Sequence, residues 1–201
     1  MIRRIFLFLF LLFFSCDSKD EIKNNLYDYI PSNTVLVVKI NNHNALKNII
    51  KNNPIISSLK SLDQTLFNTL EEITPHEISS PTLFCFTPYG KNKMAVTIIN
   101  RSLAKDSLKK SDNRYTIYNG EKISEFNLNK NLYFKSYIKN IEFISNSKLI
   151  LENSIRLFQN RTKGIQSKDF YNLAEFLNNN STANILIKYN AHKFFKDIFL
   201  Q

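Results

Sequence analysis

The chain is 201 residues long, 43% hydrophobic and 13% aromatic, with 27 Lys+Arg against 17 Asp+Glu for a formal net charge of +10. That apolar content excludes a disordered stalk and gives length for one domain with a sizeable core, or one domain and the start of another. The excess charge is lysine dispersed among asparagine and isoleucine; its clusters, Lys91-Asn92-Lys93 and Lys109-Lys110, are too short for a nucleic-acid footprint, and no nucleic-acid partner is expected.

At the start of the chain, Arg3 and Arg4 precede ten unbroken apolar residues, 5–14, and then Ser15 and Cys16. A membrane-crossing helix needs roughly 20 consecutive apolar residues, so this run is too short to span. A charged n-region, a short apolar stretch and a small residue are instead the parts of a secretory signal. Phe13-Phe14-Ser15-Cys16 resembles the lipobox of bacterial lipoproteins, with Phe13 where leucine is usual. The resemblance implies cleavage after Ser15, a signal peptide over residues 1–15, and lipidation of Cys16; the alternative is an uncleaved N-terminal anchor in which Cys16 is incidental. The three acyl chains typical of that family each add ~0.8 kcal/mol per buried CH₂, enough for firm anchoring where one chain is marginal. Losing Arg3 and Arg4 with the signal leaves a net charge of +8.

Residues 16–28 read as a lipidated tether. Asp17-Ser18-Lys19-Asp20-Glu21 is similar to the lysine-plus-acids export tag of Bacteroidetes surface lipoproteins, which implies the outer face of the outer membrane. Two alternatives stand beside it. Enterobacterial sorting reads aspartate after the cysteine as inner-membrane retention, and a charged tether also keeps a domain off the headgroups without any receptor. With Cys16 lipidated, Cys85 has no intramolecular disulfide partner and reads as a small core residue in an apolar strand.

Beyond the tether, residues 29–180 read as an α+β domain, an antiparallel or mixed sheet built of hairpins with packed helices. Residues 33–41 are rich in β-branched side chains and predict a strand, followed by helices from 44 and over 55–73. Strands 82–87 and 94–100 flank a turn-rich connection. Strands 115–118 and 122–127 flank Asn119-Gly120, a dipeptide that permits positive φ at both central positions and so favours a type I′ hairpin. Strands 132–138 and 141–145 form a third pair. Ser147 is positioned to cap a helix running to about Arg161, and a second helix covers about 168–178.

Residues 184–190 predict a last strand, with a helix-like segment after it over 194–200. At a constant offset of 149 residues, 32–50 and 181–199 share Ser32/Ser181, Lys39/Lys188, Asn41/Asn190, His43/His192, Lys47/Lys196 and Ile49/Ile198, which suggests an internal strand–helix repeat. Residues 181–201 then either close the first sheet beside strand 33–41 or begin a second repeat. The phrase Pro31-Ser32-Asn33-Thr34-Val35-Leu36-Val37-Val38-Lys39-Ile40, with the strand–helix phrase over 141–155, resembles bacterial extracytoplasmic proteins built from repeated α+β modules, flavobacterial lipoproteins among them. That resemblance implies a fold and a location, and no activity.

No catalytic, cofactor or metal residues are expected. His43, His76 and His192 have no Cys or acidic ligand at metal-site spacing; Glu71 and Glu72 diverge by about 100° on a helix; Gly90, Gly120 and Gly164 are isolated, so no phosphate loop forms. Tyr27, Tyr29, Tyr89, Tyr115, Tyr118, Tyr133 and Tyr137 offer faces for sugars or protein loops, or alternatively pack across strands. Asp106-Ser107-Leu108 matches the three-residue O-glycosylation pattern of Bacteroidetes exported proteins. The expectation is a lipid-anchored, non-enzymatic envelope module meeting a protein or polysaccharide partner. An envelope hydrolase acting on glycans and the N-terminal part of a longer lipoprotein are the alternatives.

Overall fold

A computed structural model describes residues 25–42, 45, 52, 81–90, 93–101, 114–128, 131–165, 167–177 and 180–188. The described part is an α+β arrangement: one eight-stranded sheet, wholly antiparallel rather than mixed, with helices on one face. Its strands are β1 (Leu36–Ile40), β2 (Thr82–Tyr89), β3 (Lys93–Arg101), β4 (Arg114–Tyr118), β5 (Glu121–Leu128), β6 (Asn131–Ile138), β7 (Ile141–Ser145) and β8 (Ala183–Ile187). In space they run β4-β5-β6-β7-β3-β2-β1-β8. The helices are α1 (Lys148–Gln159) and α2 (Lys168–Phe176), preceded in the chain by a 3₁₀ turn, Leu26–Tyr29.

The hairpins form for local reasons. Asn119 and Gly120 take φ of 48° and 82°, the paired positive values that a two-residue turn between twisted strands requires. Lys139 bears the same demand at φ 55° in the β6–β7 turn. Strands β2 and β3 are the longest hairpin, in register from Thr82↔Asn100 to Tyr89↔Lys93. The last strand lies beside β1, with Val37 opposite Leu186.

Alternation along these strands sorts the sheet into two faces. One cross-strand row runs Thr116, Ile123, Ser136, Phe143, Ile99, Leu83, Lys39, Asn184, and lies on the helix face. The adjacent row, Tyr115, Ser124, Lys135, Ile144, Ile98, Phe84, Val38, Ile185, lies on the far face. Helix α1 buries Ile150, Leu151, Ser154, Ile155 and Leu157, the stripe that 3.6-residue periodicity turns toward the sheet. Of these, Leu151 and Ile155 join Tyr29, Ile30, Ile99, Ile141 and Phe143 in the larger core. Tyr29 meets Phe143 edge-on at 6.1 Å and Phe158 at 4.9 Å.

The helix ends differ from the sequence expectation. Ser147 occupies the N-cap of α1, yet its side chain makes no cap hydrogen bond; its N–H instead donates to Ser145 Oγ at 3.2 Å. The helix stops at Gln159 because Arg161 enters the left-handed region, φ 52°, and the Thr162 N–H returns to the Leu157 carbonyl at 3.1 Å. Ser167 does cap α2, accepting from the Phe170 N–H at 3.3 Å, and that helix ends at Phe176. Between them, Gly164 sits where a Cβ would collide with the Ile30 carbonyl and Leu157 Cδ1.

On the far face a second cluster gathers Leu36, Ile40, Phe84, Phe86, Val96, Ile98, Tyr133 and Ile144. No helix among the described residues packs on it. Six consecutive residues are buried in β2 and six in β3, so both faces of the sheet centre are shielded from water. The helices expected over 55–73 and over 194–200 lie outside the described residues, as does the one expected from 44 except for Ala45 and Asn52, which are helical, and no described helix is long and apolar enough to cross a membrane.

Candidate functional site

The far face changes character along the sheet. Its centre is apolar, while its β4–β6 end carries Tyr115, Ile117, Lys122, Ser124, Lys135 and Tyr137, with Glu142 of β7 and Asn100 of β3 beside them. Long-range register makes this grouping: β7 lies against β6 on one side and β3 on the other, which sets Glu142 between Tyr137 and Asn100.

Glu142 is the hub. Asn100 Nδ2 donates to its Oε2 at 3.0 Å, the Tyr137 hydroxyl donates to its Oε1, and Lys135 Nζ lies 3.1 Å from Oε1. The lysine ammonium also sits 4.9 Å from the Tyr137 ring centroid. Burial pulls the Lys135 pKa down, but Tyr137 and Glu142 outweigh it and hold the lysine above its ordinary value, so it stays charged. Asn100 Oδ1 is buried and has no hydrogen-bond partner among the described residues. Toward the edge the surface opens: Tyr115 is 58% and Ile117 62% exposed, with Lys122 Nζ 4.7 Å from the Tyr115 ring centroid. The cluster supplies ring faces, an ammonium and hydrogen-bonding groups.

A shallower feature lies along α1. A cleft of about 270 Å³ is lined by Ser32, Asn33, Thr87, Tyr118, Asn153 and Arg156, among others. Its wall is fixed by Asn153 Oδ1, which accepts from the Ser32 N–H at 3.2 Å and from Ser32 Oγ at 3.4 Å.

No family model matches the chain, and no curated protein matches it. Among solved structures, one described as crystal form I of TP0453 aligns with a TM-score of 0.48 and 11% identity. The alignment covers 86% of this chain and 66% of that one, so the chain spans just under two thirds of the length of the protein it is compared with.

The sequence-predicted residues divide by location. Cys16, the expected lipidation site, lies outside the described residues, as do His43, His76, His192, Glu71, Glu72, Lys109, Lys110 and Asp106-Ser107-Leu108. Cys85 is free and fully buried, and burial pushes its thiol pKa far up. Of the seven tyrosines singled out in the sequence, Tyr27, Tyr29 and Tyr133 are core residues, which corrects any surface role for them; Tyr89, Tyr118 and Tyr137 are half-buried, and Tyr115 is exposed. Among the described residues no group of three His, Cys, Asp or Glu could hold a metal. Sequence reasoning missed Asn100, Lys135 and Glu142, whose only local signal is a polar residue recurring inside an otherwise alternating strand.

Proposed function

We propose that the chain is a lipid-anchored cell-envelope protein, a non-enzymatic binding or structural module held at the outer membrane surface through acylated Cys16. The anchor rests on residues 3–16. The binding reading is supported by one observation above the others: Tyr115 and Ile117 stand exposed at the β4–β6 end of the far face, beside Lys122 and the Lys135–Glu142 pair. Monomeric proteins usually keep aromatic and aliphatic side chains from gathering at one open sheet end unless a partner covers them. Flat rings beside ammonium groups suit a protein loop or a polysaccharide. Segments 32–50 and 181–199 are, in this reading, two copies of one strand–helix unit.

Metabolic labelling with an alkyne fatty acid tests the anchor, comparing wild type with Cys16→Ala, and protease shaving of intact cells tests the surface. Label on the wild type and none on Cys16→Ala, with loss of the labelled band on shaving, is the expected result. An unlabelled wild type overturns the anchor. Labelled protein that survives shaving while a known surface protein is removed overturns display.

A further inference from the structure

Strands β1 and β8 are related more closely than neighbours need be. The ladder sets Val37 opposite Leu186, Leu36 opposite Ile187 and Val38 opposite Ile185. The sequence offset of 149 residues makes Leu186 the counterpart of Val37, Ile185 that of Leu36 and Ile187 that of Val38. Val37 therefore faces its own counterpart, and Leu36 and Val38 are carried onto Ile185 and Ile187 by a local twofold axis that passes between Val37 and Leu186, perpendicular to the sheet. Such an axis preserves faces: Val37 and Leu186 both belong to the helix-side core, while Leu36 and Val38 lie with Ile185 and Ile187 on the other side.

The axis also assigns the hydrogen-bonding edges. The Asn41 N–H donates to the Thr182 carbonyl and the Lys188 N–H to the Val35 carbonyl, both at 2.9 Å. By alternation the even-numbered residues of β8 point their backbone at β1, and Ala183, Ile185 and Ile187 point theirs outward. Their counterparts Leu36 and Val38 direct the same groups at β2, opposite Phe86 and Phe84. What β1 receives from β2, β8 lacks among the described strands. The side chains register the difference: Leu36 is 8% exposed and Ile185 60%; Val38 is half-buried and Ile187 is 51% exposed.

We infer that β8 is an acceptor edge for one antiparallel strand of a protein partner, an extended uncharged segment with apolar side chains at alternate positions, docked as β2 docks on β1. The pattern of the occupant follows from the β1–β2 ladder, continued across the twofold axis. Strand β8 has no charge, proline or bulge between Ala183 and Ile187, the devices by which edge strands repel additions. Strand addition of this kind draws affinity from main-chain hydrogen bonds and selectivity from alternate side-chain contacts. The proposal is independent of whether Cys16 is acylated.

The probe is a synthetic peptide copying residues 81–90, with serine in place of Cys85 and a solubilising tail, added to the full chain. Expected is at least tenfold slower amide exchange at Ile185 and Ile187 on saturation, and at least tenfold weaker binding to Ile185→Lys. A peptide N-methylated at the positions of Phe84 and Phe86 loses the ladder and should not bind, which tests the edge without altering the protein. No slowing at Ile185 and Ile187, slowing at β4 instead, or equal binding of the N-methylated peptide overturns the proposal. Self-association without peptide that Ile185→Lys abolishes also overturns it, since a second copy would then own the edge.

Discussion

The two faces of the sheet are made from the same strands, yet only one is an unbroken core. On the helix face, Phe143, Ile99 and Leu83 sit beneath a helix stripe, and even Lys39, one strand in from the edge, is buried there, its ammonium 5.9 Å from the Tyr27 ring centroid, where burial pulls its pKa down. On the far face, Ile144, Ile98 and Phe84 are equally buried at the centre, but Tyr115 and Ile185 at the two ends are exposed. Alternation alone makes a strand two-sided; position in the sheet then decides which of its sides meets water. The far face is thus open at its two ends and closed at its centre.

That division can be broken most directly at α1. Leu151→Ala removes a fully buried side chain from the helix face and should cost about 2–5 kcal/mol. Leu149, two residues away and 65% exposed, should change by less than about 0.5 kcal/mol on the same truncation. Urea unfolding of both variants measures the contrast, and equal losses would contradict the burial assigned to the stripe. On the far face the largest effect falls on Glu142. Glu142→Ala removes the acceptor shared by Asn100 Nδ2, the Tyr137 hydroxyl and Lys135 Nζ in a mostly buried site, with an expected loss of about 1–3 kcal/mol. A loss below about 0.5 kcal/mol would make the cluster a solvated surface pair.

How much of this was legible in the sequence follows from how far apart the interacting residues lie along it. Hairpins announce themselves, and Asn119-Gly120 with its flanking strands fixes β4 and β5 within a residue or so of the expected bounds. Helices α1 and α2 were legible from periodicity, because the stripe Ile150, Leu151, Ile155 is contained in one segment. The β3–β7 pairing was not, because β4, β5 and β6 intervene, and no local rule tells a strand to skip three others. Glu142 is therefore unremarkable in sequence and central in structure: its partners Asn100 and Lys135 come from strands on opposite sides of it. The tyrosines show the same limit, since Tyr133 is buried on the far face while Tyr115 is exposed there, and the two differ in sheet position and not in pattern.

Tyr27 sharpens the comparison from inside the helix face, where one polar atom is out of place. Its hydroxyl is buried without a hydrogen-bond partner among the described residues, and burial, then the neighbouring Cys85, raises its pKa to about 12 from 10.0. Tyr27→Phe keeps the ring edge-on to Phe170 at 5.9 Å and removes only the orphan donor, so at neutral pH it should stabilise by about 1 kcal/mol. The sign with pH follows from linkage. Above pH 10 the unfolded chain releases the Tyr27 proton while the folded chain retains it, so the unfolded state binds fewer protons and stability falls as pH rises toward 12. Phenylalanine has no such proton. The stability gap between variant and wild type should therefore stay flat below pH 9 and widen above 10, with a limiting slope of about 1.4 kcal/mol per pH unit, in paired urea titrations. A gap that does not widen would mean the hydroxyl reaches water, and with it that the helix face is less sealed than its packing implies.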